Sequence, residues 1–251
     1  MSTGGLGLVP AGPSPVLAVA HRAGNSLPGL REAVAAGADL VEADVHVRSG
    51  RLEVRHLKSL GPLPWLWDRT GTGMLPSTRD RWELVRRTPQ LRLEELLDAA
   101  QDGATLMLDL KGVGAVGPDV ARALHGRSPA SEVVVCGRWW PSVDAFARHD
   151  WALRVLSARG RTELALLRRR VRTGPPPYGV SVHRSLLTPQ VVAELRCHVE
   201  VVMTWPVNDM TALAAVLDVG VNGVITDEAD VLRTVVSGSA FGDGGAADRR
   251  E

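Results

Sequence analysis

Cysteine is scarce in this 251-residue chain, with two residues, Cys136 and Cys197. Two scattered thiols build neither a disulfide framework nor a metal knuckle, and read most simply as reduced side chains. Lysine is equally scarce: only Lys58 and Lys111 occur among 29 basic residues, so arginine supplies the other 27 (29 − 2). Neither sign of charge prevails. The 29 basic and 28 acidic residues leave a net charge of +1, which gives no electrostatic case for a nucleic-acid or membrane-surface partner. No apolar run approaches the about 20 residues of a membrane-spanning helix, so stable membrane insertion is not expected. Met1 to Pro15 is rich in Gly and Pro and lacks a positive start and a long apolar run. No signal peptide is therefore expected, and a cytoplasmic setting fits. Aromatic residues make up only 4%, but 45% hydrophobic and 23% charged residues are the balance of a soluble globular protein with length enough for a core.

What is present is an alternation of β-branched runs and helical patterns. Strands are expected at Val16–Ala20, Leu40–Val47, Leu52–His56, Thr105–Leu110, Val133–Cys136, Leu153–Leu156, Gly179–Val182, Glu200–Trp205 and Gly223–Thr226. Helices are expected at Ser26–Ala36, Leu93–Ala100, Val116–Leu124, Val143–Arg148, Thr162–Arg170, Pro189–Cys197, Met210–Leu217 and Glu228–Val235. Ser26 is a candidate N-cap, and Gly37 follows that helix. Repeated β-then-α units imply a parallel sheet, and a chain of this length fits a single-domain (β/α)8 TIM barrel over residues 16–236. An open doubly wound sheet is the alternative. Residues 1–15 read as a flexible lead and 237–251 as a disordered tail.

One strand is surplus to a barrel of eight. Leu52–His56 follows Leu40–Val47 too closely for a parallel crossover, so a hairpin is expected. A three-residue turn, Arg48-Ser49-Gly50, would pair 47 with 51 and 44 with 54, and would bring His56 opposite Glu42 on one face. A two-residue turn would send His56 to the other face.

In barrels of this type reactive side chains gather at the C-terminal ends of the strands. The first strand ends in His21-Arg22, the second carries Glu42-Ala43-Asp44, the hairpin returns with His56, and a later strand carries Asp109-Leu110-Lys111. Glu42 and Asp44 share one strand face. Two like charges inside a barrel require a cation between them or a proton on one. With Asp109 they offer three oxygen ligands and no thiolate, which favours the divalent ions Mg²⁺ or Ca²⁺ over Zn²⁺. His21 and His56 are candidates for acid–base work. Arg22 could clamp a phosphate with its forked donors. Lys111, one of only two lysines, sits two residues after Asp109 and could reach a phosphate oxygen or pair with that acid.

The order of these groups resembles the glycerophosphodiester phosphodiesterase family. The likeness is carried by His21-Arg22, Asn25-Ser26-Leu27, the run Gly37 to Val45 around Glu42-Ala43-Asp44, and His56. It continues in Leu93-Glu94-Glu95-Leu96-Leu97, Leu108-Asp109-Leu110-Lys111, Trp205-Pro206-Val207-Asn208-Asp209 and Gly220 to Asp227. It implies a TIM barrel that uses a divalent metal to hydrolyse small-molecule glycerophosphodiesters to glycerol 3-phosphate and an alcohol. By the same resemblance His21 and His56 are the acid and base, Glu42, Asp44 and Asp109 the metal ligands, and Arg22 and Lys111 the phosphate-binding cations. Asn25 and Trp205 are candidate substrate contacts.

The chain departs from the family pattern at several positions. Ala23 stands where Gly is usual, Gly24 replaces a Glu in a shortened loop, Leu57 follows His56 in place of Asp, and Pro206 stands where Thr is common. Asp109 replaces the more usual Glu. The stretch 57–90, with Trp65, Trp67 and Trp82, matches the family's small insertion and is expected to cover the barrel end or pack an apolar substrate group. A lysophospholipase D-like activity and a catalytically weakened phosphate-binding barrel are the alternatives. The sequence fixes neither the leaving alcohol, nor which histidine is the acid, nor the oligomeric state.

Overall fold

The fold was analysed in a computed structural model, which describes residues 16–56, 58–59, 65–70, 81–86, 90–101, 103–126 and 132–238. The expected lead, residues 1–15, lies outside the described residues. So does the expected tail, apart from Ser237 and Gly238.

Eight parallel strands close into a barrel. They are β1 (Leu17–Ala20), β2 (Leu40–Arg48), β3 (Leu106–Leu110), β4 (Val133–Gly137), β5 (Ala152–Ala158), β6 (Gly179–His183), β7 (Val201–Trp205) and β8 (Gly223–Thr226). Spatial order follows chain order from β2 to β8, and β1 completes the ring by pairing with both β8 and β2. Helices α1 (Leu27–Ala35), α2 (Leu93–Ala100), α3 (Val116–His125), α4 (Trp140–Asp144), α5 (Arg161–Thr173), α6 (Pro189–Arg196), α7 (Met210–Asp218) and α8 (Ala229–Val236) alternate with the strands. The chain is therefore a (β/α)8 TIM barrel, as the alternation predicts.

Strand periodicity divides the core in two. One set of side chains, including Leu17, Val19, Leu40, Met107, Val134, Val155, Val201, Met203 and Ile225, fills the barrel interior. The other set, including Val41, Ala43, Val45, Leu108, Val135, Val180 and Val224, packs outward with the apolar stripes of the helices. Each fully buried Leu or Val contributes about 1.5–3 kcal/mol. The bulky interior residues occupy the lower part of the barrel. Towards the C-terminal strand ends the same inward positions turn polar, and that change defines the mouth.

Local signals set most boundaries. Ser26 caps α1, its Oγ accepting from Gly29 N at 3.1 Å, and Gly37 ends the turn at φ +78°. Thr188 and Asp209 cap α6 and α7 in the same way. One helix differs from expectation. It runs Trp140–Asp144, where the apolar spacing predicts Val143–Arg148. Pro141 lies in its first turn, where its fixed φ and missing N–H cost nothing.

The hairpin forms with a different register. The return strand Arg51–Val54 pairs Arg48 with Arg51, Val47 with Leu52, His46 with Glu53 and Val45 with Val54. The turn is the two residues Ser49-Gly50, with φ +48° and +74°. Two left-handed residues give the twist that suits tight hairpins. His56 is thus not laddered opposite Glu42. The expected segment Leu52–His56 ends as a strand at Val54, and Leu91–Arg92 pairs on its outer edge. Within residues 57–90, Lys58–Ser59, Trp65–Thr70 and Arg81–Arg86 form a separate antiparallel sheet. The expected packing role of the tryptophans there lies outside the described side chains.

Candidate functional site

Glu42 and Asp44 alternate with Ala43 on β2, so both enter the barrel, and they are 3% and 0% exposed. Register pairs Asp44 of β2 with Asp109 of β3. Ligand atoms of Glu42, Asp44 and Asp109 all lie within 4.8 Å of one another, which is the convergence that one shared cation requires.

The surroundings hold this cluster in place. Arg22 sits in the left-handed region at φ +58° and donates its backbone N–H to Glu42 Oε2 at 2.6 Å. A non-glycine residue held there costs energy, and such strain gathers at functional sites. Asn25 makes a reciprocal pair with Asp44: its amide donates to Oδ2 at 2.7 Å, and its Oδ1 accepts from Asp44 N at 2.8 Å. Asn25 therefore orients a carboxylate, a role the sequence did not suggest. The short loop that brings Asn25 in passes close over β2, where a Cβ on Gly24 would lie 2.8 Å from Ala43 Cβ. A glycine is what this approach requires.

Charge in the cluster is unbalanced towards the negative. Lys111 Nζ lies 2.6 Å from Asp44 Oδ1 and also bonds Asp109. Despite burial, these two acids raise its pKa well above the ordinary lysine value. Burial alone would raise Asp44, but the Lys111 charge and hydrogen bond hold it below the usual range, with help from His56 and His21. Glu42 is pushed up to about 8, first by burial and then by the charge of Asp44. One ammonium thus cannot satisfy three acids, and a second positive charge would suit the site.

His21 feels the charge of this cluster directly, whereas His56 acts on Asp44 from the chain just past the hairpin. Nδ1 of His21 lies 2.9 Å from Asp227 Oδ1, and Asp227 is in turn bonded by Asn208 Nδ2 at 3.1 Å. Burial lowers the His21 pKa, but the Asp227 hydrogen bond and the charges of Glu42 and Asp227 raise it overall. Asp227 is lowered to about 2; burial opposes this and the His21 hydrogen bond drives it. His56 lies one residue beyond Arg55, whose N–H still donates to Asp44 O at 3.0 Å. From there the His56 charge helps to hold Asp44 below its usual range.

Trp205 ends β7 at the mouth, in edge contact with the His183 ring at 5.1 Å. Arg22 Nε is buried without a hydrogen-bond partner. Sequence reasoning missed His46, Glu53 and Arg55. His46 continues the inward face of β2, and burial followed by the Arg55 charge lowers it to about 4. Glu53 and Arg55, 6% and 4% exposed, pair at 3.0 Å. The period-two spacing of Glu42, Asp44 and His46 was the available signal. Asp227 and Asn208 were visible only as parts of motifs.

No protein-family model matches the sequence, and no curated protein matches it. Solved structures do. An Oleispira antarctica phosphodiesterase, determined in complex with the product sn-glycerol-3-phosphate, is 17% identical; the match covers 88% of this chain and 96% of that one at a TM-score of 0.65. The chain has the fold of the glycerophosphodiester phosphodiesterases. Glycerophosphodiester phosphodiesterases from Thermotoga maritima and Parabacteroides distasonis are each 19% identical, with TM-scores of 0.62 and 0.64. Those matches cover 86% and 88% of this chain and 96% and 97% of the others. The acids and imidazoles described above stand at the mouth of this glycerophosphodiester phosphodiesterase fold.

Proposed function

We propose that the protein is a metal-dependent glycerophosphodiester phosphodiesterase that releases glycerol 3-phosphate and an alcohol. The observation that carries this reading is the convergence of Glu42, Asp44 and Asp109 at a barrel mouth, with an Asp227-bound imidazole beside it. Those three acids would hold the ion, and an all-oxygen donor set favours Mg²⁺ or Ca²⁺. The raised pKa of Glu42 is the charge imbalance that such an ion would relieve. When bound, the ion supplies Lewis-acid polarisation of a phosphoryl oxygen.

The chain's own groups account for the remaining work. Arg22, with its unpartnered Nε, and Lys111 offset negative charge on the phosphoryl oxygens. His56 takes the proton of the attacking water as its oxygen bonds to phosphorus. His21 gives a proton to the alkoxide leaving on the opposite side. The assignment of His21 as acid is supported by its raised pKa, which keeps the ring protonated further into the neutral range. Asp227 accepts from Nδ1 and so holds the ring in one orientation, with Nε2 as the nitrogen that exchanges the proton.

Release of glycerol 3-phosphate from several glycerophosphodiesters tests the reading, with lysophosphatidylcholine in parallel to test the lysophospholipase D alternative. Metal-dependent turnover of the water-soluble diesters is expected. Turnover confined to the lysolipid would replace the proposal with that alternative, and metal-dependent binding without turnover would leave only a phosphate-binding barrel.

A further inference from the structure

Across the barrel from the acids, the ends of β5 and β6 carry a different set of groups. On β5 the inward positions run Val155, Ser157 and then Arg159, just past the strand end; on β6 they run Gly179, Ser181 and His183, followed by Arg184. Register pairs Ser157 with Ser181 and His183 with Trp205, so these groups form one wall of the mouth. Arg159 and Arg184 are exposed and make no ion pair among the described residues. Glu163, at the start of α5, is fully engaged. It accepts both Nε and Nη2 of Arg138, along with the backbone N–H groups of Arg159 and Gly160.

His183 completes this wall as a neutral donor. Its Nδ1 lies 2.8 Å from Ser185 Oγ and accepts from Ser185 N at 3.3 Å, which places the proton on Nε2. Burial, then the charges of Arg159 and Arg184, lowers its pKa. The wall therefore offers two guanidinium forks and one imidazole N–H, with no carboxylate left among the described residues there to receive a cation. Arg22 and Lys111 already stand on the far side, where the reacting phosphate would lie. Positive charge here is surplus to the reaction itself.

We propose that the β5–β6 wall, through Arg159, Arg184 and His183, selects glycerophosphodiesters whose alcohol portion carries its own anion, a carboxylate or a second phosphate. This rests on the phosphodiesterase reading and names its substrate class. Forked arginine donors match both anions.

The test compares kcat/KM for glycerophosphoinositol 4-phosphate, whose headgroup carries a second phosphate, glycerophosphoserine, whose headgroup carries a carboxylate beside an ammonium, glycerophosphoglycerol, whose headgroup is uncharged, and glycerophosphocholine, whose headgroup is cationic. The two substrates with an anion on the headgroup should exceed glycerophosphocholine by about tenfold or more, corresponding to about 1.4 kcal/mol. The preference should shrink as salt is raised. Comparing the serine and inositol-phosphate arms separates carboxylate from phosphate as the preferred anion. In the Arg159→Ala/Arg184→Ala variant the ratio should collapse towards one, and Arg159→Glu should shift it towards glycerophosphocholine. Turnover of all four with a ratio that ignores headgroup charge, or one the arginine substitutions leave unchanged, would overturn the inference alone. A glycerophosphocholine preference indifferent to both arginines would instead assign the wall to a cation held on Trp205, and would also overturn it. Absence of turnover on all four would remove the phosphodiesterase reading and this inference together.

Discussion

The two sides of the barrel mouth occupy equivalent positions in the fold and carry opposite chemistry. Along β1 to β3 the strand ends present buried acids that share one lysine, held by backbone and amide hydrogen bonds. Along β5 and β6 they present arginines that are exposed and unshared. Burial makes the first side responsive to charge: Glu42 rises to about 8 because its neighbours are close and water is excluded. Exposure makes the second side adaptable and sensitive to salt. On the proposed reading the contrast separates reaction from recognition, since the groups assigned to the reacting atoms are fixed, while those assigned to headgroup choice remain in solvent.

The largest break in that contrast should come from the acidic side. Asp44→Asn removes a carboxylate that touches Lys111, Asn25 and the candidate ion position. Metal-stimulated turnover should fall to the assay background while the Arg159→Ala/Arg184→Ala variant still turns over. Next, His21→Ala and His56→Ala should each lower kcat by about 10²- to 10⁴-fold. Near-full activity in either would remove that histidine from the mechanism.

Asp227→Asn should have a smaller effect, about 10- to 100-fold on kcat, together with a diagnostic change in the pH profile. On the proposed mechanism His21 works as the protonated acid, so activity should fall as pH rises through its pKa. Without the Asp227 carboxylate that pKa drops, and the alkaline limb should move to lower pH. A merely structural role would lower activity without moving the limb. Stability provides an independent check. Asp227 has a folded pKa of about 2 against about 3.9 unfolded. Its contribution is therefore complete above pH about 4 and lost as pH falls towards 2. Urea denaturation should show the largest wild-type-to-variant difference near neutrality and convergence at low pH.

The smallest predicted effect lies outside both sides, at the hairpin that delivers His56. Gly50→Ala places a side chain at φ +74°, a conformation that costs an L-residue about 1 kcal/mol. Urea denaturation should report that loss. No change at all would mean that the Ser49-Gly50 turn relaxes freely.

Most of the barrel was legible because the strands are short apolar runs and the helices are amphipathic segments, three of which, α1, α6 and α7, carry a side-chain cap. The eight barrel strands lie where periodicity places them, within a few residues. The hairpin register was not legible. Choosing between Arg48-Ser49-Gly50 and Ser49-Gly50 depends on whether Ser49 accepts a positive φ, and serine composition does not announce that. The helix Trp140–Asp144 was displaced because Pro141 was a stronger start signal than the apolar spacing after it. In the site, the acids could be named because Glu42, Asp44 and Asp109 fall on strand positions of one parity. The partners that fix the site could not, since Asn25 meets Asp44, Asp227 meets His21 and Asn208 meets Asp227 across separations of 19 residues or more. Only the closed sheet brings them together.

The central claim is that three carboxylates hold one divalent ion and that this ion enables glycerophosphodiester cleavage. Its most direct test is glycerol 3-phosphate release by the chelator-treated protein, followed through add-back of Mg²⁺ or Ca²⁺, with Glu42→Gln as the paired control. The account predicts activity that vanishes with chelator, returns with one of the ions in the wild-type protein and does not return in Glu42→Gln. Undiminished release in chelator, or equal rescue of Glu42→Gln, would contradict it.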